Sequence, residues 1–153
     1  MLDIDAYAAD WRMHGQTEPA QVRLSDELNA SDELHIRDAR FEDLADGHQV
    51  VVSEITVGQE ELCAVVASGP RGEEARRLTT KTSHVEVEIG PYRIVGWVHS
   101  PRGGDPVGSV LRRGAWVPLT DVTVFYLRSG ENVRDRVPTL LVNRNLMRAF
   151  REV

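Results

Sequence analysis

The sequence predicts a mostly β protein built as two related small five-stranded barrels in tandem, each with one short helical turn. Three observations lead there. Apolar and polar residues alternate with period two in many short runs, and Gly, Pro, Asn and Asp turn signals separate the runs. The order of those runs recurs at a spacing of 81 to 83 residues. Between the copies lies a dense mixture of breakers and charge, from Ser68-Gly-Pro-Arg-Gly72 to Arg77. The expected division is a first, acidic unit over 1–67, a linker over 68–82, and a second, basic unit over 83–153.

In the first unit, Leu2, Ile4, Ala6 and Ala8 alternate with Asp3, Asp5 and Tyr7, the period of a half-buried strand. Trp11 to Gly15 extends the sheet, and Pro19-Ala20 breaks it. Ser25-Asp-Glu-Leu28 reads as a short helix start, because Ser25 can cap free N–H groups and the acids suit the positive end of the dipole. Leu34 to Phe41 is a strand with an irregularity at Asp38, and Asp46-Gly47 is a strong turn signal. Val50 to Val57 is rich in β-branched residues, Gly58-Gln59 turns, and Leu62 to Val66 is a short apolar strand.

The second unit opens with Val85, Val87 and Ile89 alternating with Glu86 and Glu88. Gly90-Pro91 turns the chain into a strand from Arg93 to His99, where Gly96 permits a bend or a close backbone approach. A loop over Pro101 to Pro106 leads to one helical turn over Gly108 to Arg112. Trp116 to Leu127 and Pro138 to Val142 are strands, with turns at Ser129-Gly130 and Asn143-Arg-Asn145. Leu146 to Phe150 fits either a last strand or a frayed helix.

The repeat is legible residue by residue. Trp11-Arg-Met-His-Gly15 lies on Tyr92-Arg-Ile-Val-Gly96 at a shift of 81, which also lays Ile4, Ala6 and Ala8 on Val85, Val87 and Ile89. Ile36-Arg-Asp-Ala-Arg-Phe41 lies on Leu119-Thr-Asp-Val-Thr-Val124 at a shift of 83. Units this small usually close a barrel to hide their edges, or pair with a neighbour.

Composition narrows the function classes. With 41% apolar and 27% charged residues in 153, the chain has the balance of a soluble globular protein, with enough length for a sizeable core. No apolar run approaches the ~20 residues that span a bilayer, and Met1-Leu-Asp-Ile-Asp5 has no basic n-region. Cys63 is the only cysteine, which excludes an intrachain disulfide or a Cys-based zinc site and makes a cytoplasmic location the expectation. Residues 1–80 carry seven Arg against seventeen Asp or Glu, a net of −10, whereas residues 81–153 carry eleven Lys or Arg against seven acids, a net of +4. That asymmetry suggests attraction between halves, within one chain or between chains. Arg outnumbers Lys seventeen to one, which reflects a GC-rich genome better than a binding function.

The second unit resembles the Sm-like family of small β-barrels, a relative of SH3-like barrels. The resemblance rests on a short strand (Val85–Ile89), a strand ending near Gly (Tyr92–His99 with Gly96), an Asp-bearing apolar strand (Trp116–Val124 with Asp121), and two strands about a tight turn. It implies ring-forming barrels. The family's RNA-reading loops are not matched: Ser100–Ala115 is long and has no Asn, and Asn143-Arg144-Asn145 keeps an Arg but lacks the Gly. The Leu24–Asn29 segment before a strand carrying Asp-Ala also resembles a family of small bacterial domains of unknown function.

Candidate sites are few. The five histidines, at 14, 35, 48, 84 and 99, form neither an i, i+4 helical pair nor a His-x-His strand pair. Cys63 sits in an apolar run, unlike the electropositive setting of a catalytic thiol. Paired acids at 26/27, 32/33, 60/61 and 73/74 lie in turns or at helix ends, where solvation explains them better than acid–base work. Gly69–Gly72 and Gly103-Gly104 lack the strand, helix and Lys-Ser/Thr of a phosphate loop. Arg112, Arg113, Asn143, Arg144 and Asn145 are the candidate interaction or RNA contacts, since Arg meets phosphate and Trp97, Trp116 and Tyr126 offer stacking surfaces. The expectation is a non-enzymatic interaction or assembly module, ring-forming, with no cofactor, metal or membrane partner. Its partner is itself, head to tail, or another protein. The alternative is an RNA-binding Sm-like protein.

Overall fold

The computed structural model describes residues 2–18, 28–67, 80–101, 104–112 and 114–153. Five strands form the first half: β1 (Leu2–Ala8), β2 (Trp11–Thr17), β3 (Glu33–Asp43), β4 (Gln49–Gly58) and β5 (Leu62–Val66). Five more form the second: β6 (Thr80–Ile89), β7 (Tyr92–Pro101), β8 (Trp116–Tyr126), β9 (Asn132–Asn143) and β10 (Met147–Glu152). A helix, α1 (Pro106–Arg112), sits between β7 and β8, and short 3-10 turns at Gln59–Glu61 and Arg144–Leu146 precede β5 and β10. The mostly β expectation is met.

The two closed barrels are not. All ten strands join one open antiparallel sheet in the order β10-β6-β7-β8-β9-β5-β1-β2-β3-β4. The reason lies in β5, which pairs with β1 on one side and with β9 on the other. Backbone groups that would close the first half on itself are satisfied instead by the second half. Residues 68–79 of the expected linker lie outside the described residues, and β6 begins at Thr80. The predicted helix start at Ser25 lies outside them too, and Leu28 to Ala30 are helical. The last segment is a strand, as Phe150 and Met147 pack on the second core.

Each half runs in the same strand order, β5-β1-β2-β3-β4 and β10-β6-β7-β8-β9. Local geometry repeats with it. Asp38 and Asp121 occupy equivalent places and share a left-handed backbone, with φ of 50° and 49°. Each faces a register irregularity in the preceding strand, between His14 and Gln16 and between Val95 and Trp97. The residues skipped are Gly15 and Gly96. A Cβ on Gly15 would stand 2.5 Å from Ile36 Cγ2, and one on Gly96 would stand 2.9 Å from Val122 Cγ2, so both bulges need the bare backbone. Gly47 and Gly130 turn the following hairpins alike, donating N–H bonds of 2.9 Å to Asp43 O and Tyr126 O.

Two buried clusters form the core, and they exchange residues where the halves meet. Tyr7, Cys63 and Ala64 of the first half pack into the cluster built mainly by β6 to β9. Trp116 and Leu141 of the second half pack with Ile4, Met13, Leu28, Ile36 and Val65. Burying Trp116 and Leu141 there removes about 2 kcal/mol each of apolar surface free energy from water.

Candidate functional site

The features that set this molecule apart are the seam between its halves and the two strands left at the ends of its sheet. At the seam, Ala64 stands opposite Val142, Val65 opposite Leu141, and Val66 opposite Leu140. Side chains alternate across it: Ala64 and Val142 enter one core cluster, Val65 and Leu141 the other. A polar knot closes one end. Gln59, only 8% exposed, accepts a 2.7 Å bond from Trp116 Nε1 and donates through Nε2 to Ser31 O. The Asn143 amide donates to Leu62 O at 3.0 Å and to Gln59 O at 3.3 Å. Every polar atom in this knot has a partner, which is what makes its burial affordable. The Tyr92 hydroxyl adds a buried 2.7 Å bond to Ala8 O, and its ring meets Tyr7 edge-on.

At the other end of the seam, Arg134 pairs with Asp5 at 2.8 Å, and His14 reaches the same carboxylate at 2.7 Å. Partial burial pushes the Asp5 carboxyl up, but the bonds from Arg134 and His14 outweigh it and hold the group below its usual value. A groove of about 300 Å³ opens here, lined among others by Asp5, Arg12, His14, Arg40, Glu42 and Arg134. Arg12 and Glu42 pair within it at 2.6 Å. Asp5, held ionised in this way, is suited to binding a cationic group and not to donating a proton.

The candidate interaction residues fall into two places. Asn143 caps the 3-10 turn before β10, which Arg144 and Asn145 open; Asn143 is buried, and its side chain also accepts from Asn145 N at 3.1 Å. Asn143 therefore holds the seam and offers little to an outside ligand, whereas Arg144 is half-buried and Asn145 exposed. Arg112 ends α1, and Arg113 lies outside the described residues. Trp116 is buried and Tyr126 half-buried, so of the three proposed stacking residues Trp97, at 38% exposure, presents most surface; it stacks on His84 at 4.6 Å. Among the described residues no cluster of three or more His, Cys, Asp or Glu could hold a metal ion. Burial pushes the Cys63 thiol up to about 11, and Arg148 only partly offsets this.

Sequence reasoning missed Gln59, which it read as a turn, and missed the two end strands as edges. Among the described residues β4 pairs only with β3, and β10 only with β6. Along β4, Val50 is 47% and Val51 70% exposed, and Thr56 is exposed too. Exposed β-branched residues on an unpaired edge form a template for another strand. The β-branched run at 50–57 was visible; that no other described strand pairs with its outer edge was not. No family model matches the chain, no curated protein matches it, and no solved structure matches it.

Proposed function

We propose that the chain is a non-enzymatic assembly module that associates head to tail through the ends of its sheet. The observation that supports this is the pair of open edges at opposite ends of one ten-stranded sheet, β4 in the acidic half and β10 in the basic half. Two different edges, in halves of opposite net charge, suit a heterologous contact, which closes into a ring when the rotation permits. The resemblance of the second half to ring-forming barrels, extended to the first half through the internal repeat, points to three chains, hence six halves, per ring. A lone edge carrying exposed valines is otherwise a liability in a soluble protein, and covering it removes the liability.

The test is native mass spectrometry on protein isolated gently from its own host, with Thr56→Lys as the paired variant. A bare multimer of 17.1 kDa units that Thr56→Lys disperses supports the proposal. Extra mass removed by ribonuclease overturns it in favour of RNA binding, and a bare monomer at micromolar concentration overturns self-assembly.

A further inference from the structure

We infer that copies of this chain join by repeating, between molecules, the seam that joins the halves within one: β10 of one copy pairs antiparallel with β4 of the next, and Arg144 of the first meets Glu33 of the second. This rests on the assembly reading and specifies its contact. The argument begins with equivalence inside the chain. β5 and β10 each follow a 3-10 turn and each pair with the first strand of their own half, β1 and β6. β4 and β9 each precede such a turn and each pair with the preceding long strand, β3 and β8. The inner seam is β5 on β9. The equivalents of those two strands are β10 and β4, and these are the strands at the two ends of the sheet.

The equivalence fixes a register. The 3-10 turns open at Gln59 and Arg144, a shift of 85 residues. Moving the inner pairs by that shift sets Ala149 opposite Val57, Phe150 opposite Thr56, and Arg151 opposite Ile55 of the next copy. Val57 already faces the first core and is 4% exposed, so Ala149 would join it on the core side, as Ala64 joins Val142 at the inner seam.

The polar knot does not repeat; its places are taken by charge. Gln59 and Arg144 play the same backbone part, donating N–H to Asp32 O at 2.9 Å and to Ala115 O at 2.7 Å. Trp116 stands opposite Asn143, and Glu33 stands opposite Gly58. The Trp116–Gln59 hydrogen bond of the inner seam therefore maps onto Glu33 and Arg144, an acid and a base, with Asp32 beside them where the inner seam has Ala115. The Asn143 amide maps onto Gly58, which has no side chain to lock the turn. At this end the inner seam is closed by a neutral, buried knot. The outer one is charged and lacks that lock, so it is weaker, reversible and screened by salt.

Charge exchange tests this on the full chain by sedimentation across concentration and salt. Glu33→Arg and Arg144→Glu should each weaken self-association by roughly tenfold or more, and the double variant should regain most of it, since opposite charges again meet across the seam. Recovery by the double variant also shows that neither change acts by unfolding. Oxidation gives a second readout: a chain with Val57→Cys and Ala149→Cys should form disulfides between copies, whereas Val57→Cys with Arg151→Cys, out of register, should not. A wild-type chain that stays monomeric overturns the assembly reading itself. A wild type that assembles while both charge reversals are indifferent, or whose double variant stays dispersed, overturns this contact alone.

Discussion

Cys63 shows how a residue reads differently once its surroundings are known. The lone thiol lies among Leu62, Ala64 and Val65 in the sequence and is buried in the fold beneath Gly90. Burial raises its pKa from 9.0 to about 11. A thiol kept neutral in this way should resist a thiol-specific reagent at neutral pH in the folded protein and react at once in denaturant; fast native labelling would contradict the burial. The sign for stability follows. The folded pKa lies above the unfolded one, so the contribution is intact below about pH 9 and is lost as pH rises toward 11. Asp5 runs the other way. Its folded pKa lies below the unfolded value, so the Asp5–Arg134 contact contributes above about pH 4 and is lost as pH falls through the folded pKa. Side chains 30% and 39% exposed are screened, so Asp5→Asn should cost only about 0.5 kcal/mol at neutral pH and low salt. Urea melts of wild type and variant should converge in acid; a gap that widened there would reverse the assignment.

Single strands were legible because their period is written in the side chains. The irregularity at Asp38 and the special role of Gly96 were visible for the same reason: an acid breaks the alternation, and a Gly interrupts a strand. Their union was not visible, since it depends on which strands lie side by side. Gly15 and Gly96 sit against β3 and β8 where Asp38 and Asp121 turn left-handed. Gly96→Ala forces its methyl onto Val122 and against Thr120 O at 3.2 Å, and Gly15→Ala meets Ile36 and Arg37 O at 3.2 Å. Each should cost about 1 to 3 kcal/mol in chemical denaturation, by overpacking. A neutral result at both would mean that the bulges relax freely. The end of the chain was ambiguous between strand and helix because Met147, Ala149 and Phe150 carry no period strong enough to decide. Pairing with β6 decides it, since Phe150 faces Val87 and Glu152 faces Val85 across the ladder.

At the scale of the whole molecule, the repeat and the order of elements were in the sequence, and closure was not. Hydrophobic alternation says which face of a strand is buried, but not whether its edge meets its own unit or the next. That choice was made by β5, and it has a mechanical consequence. Tyr7 and Cys63 complete the second core while Trp116 and Leu141 complete the first, and the Gln59 knot needs side chains from both halves. Neither half then holds a full core alone, so opening the seam exposes both cores at once. The two halves should unfold together: in urea, hydrogen exchange measured on peptides from β1–β2 and from β6–β7 should rise with one midpoint and one free energy. Trp116→Phe, which removes the bond to Gln59 yet keeps an aromatic ring, should lower both midpoints equally, by about 1 to 2 kcal/mol for the polar group left unpaired. Separate midpoints for the two halves, or a loss confined to β6–β7, would show that the seam carries no coupling and that the sheet is two independent units merely laid edge to edge.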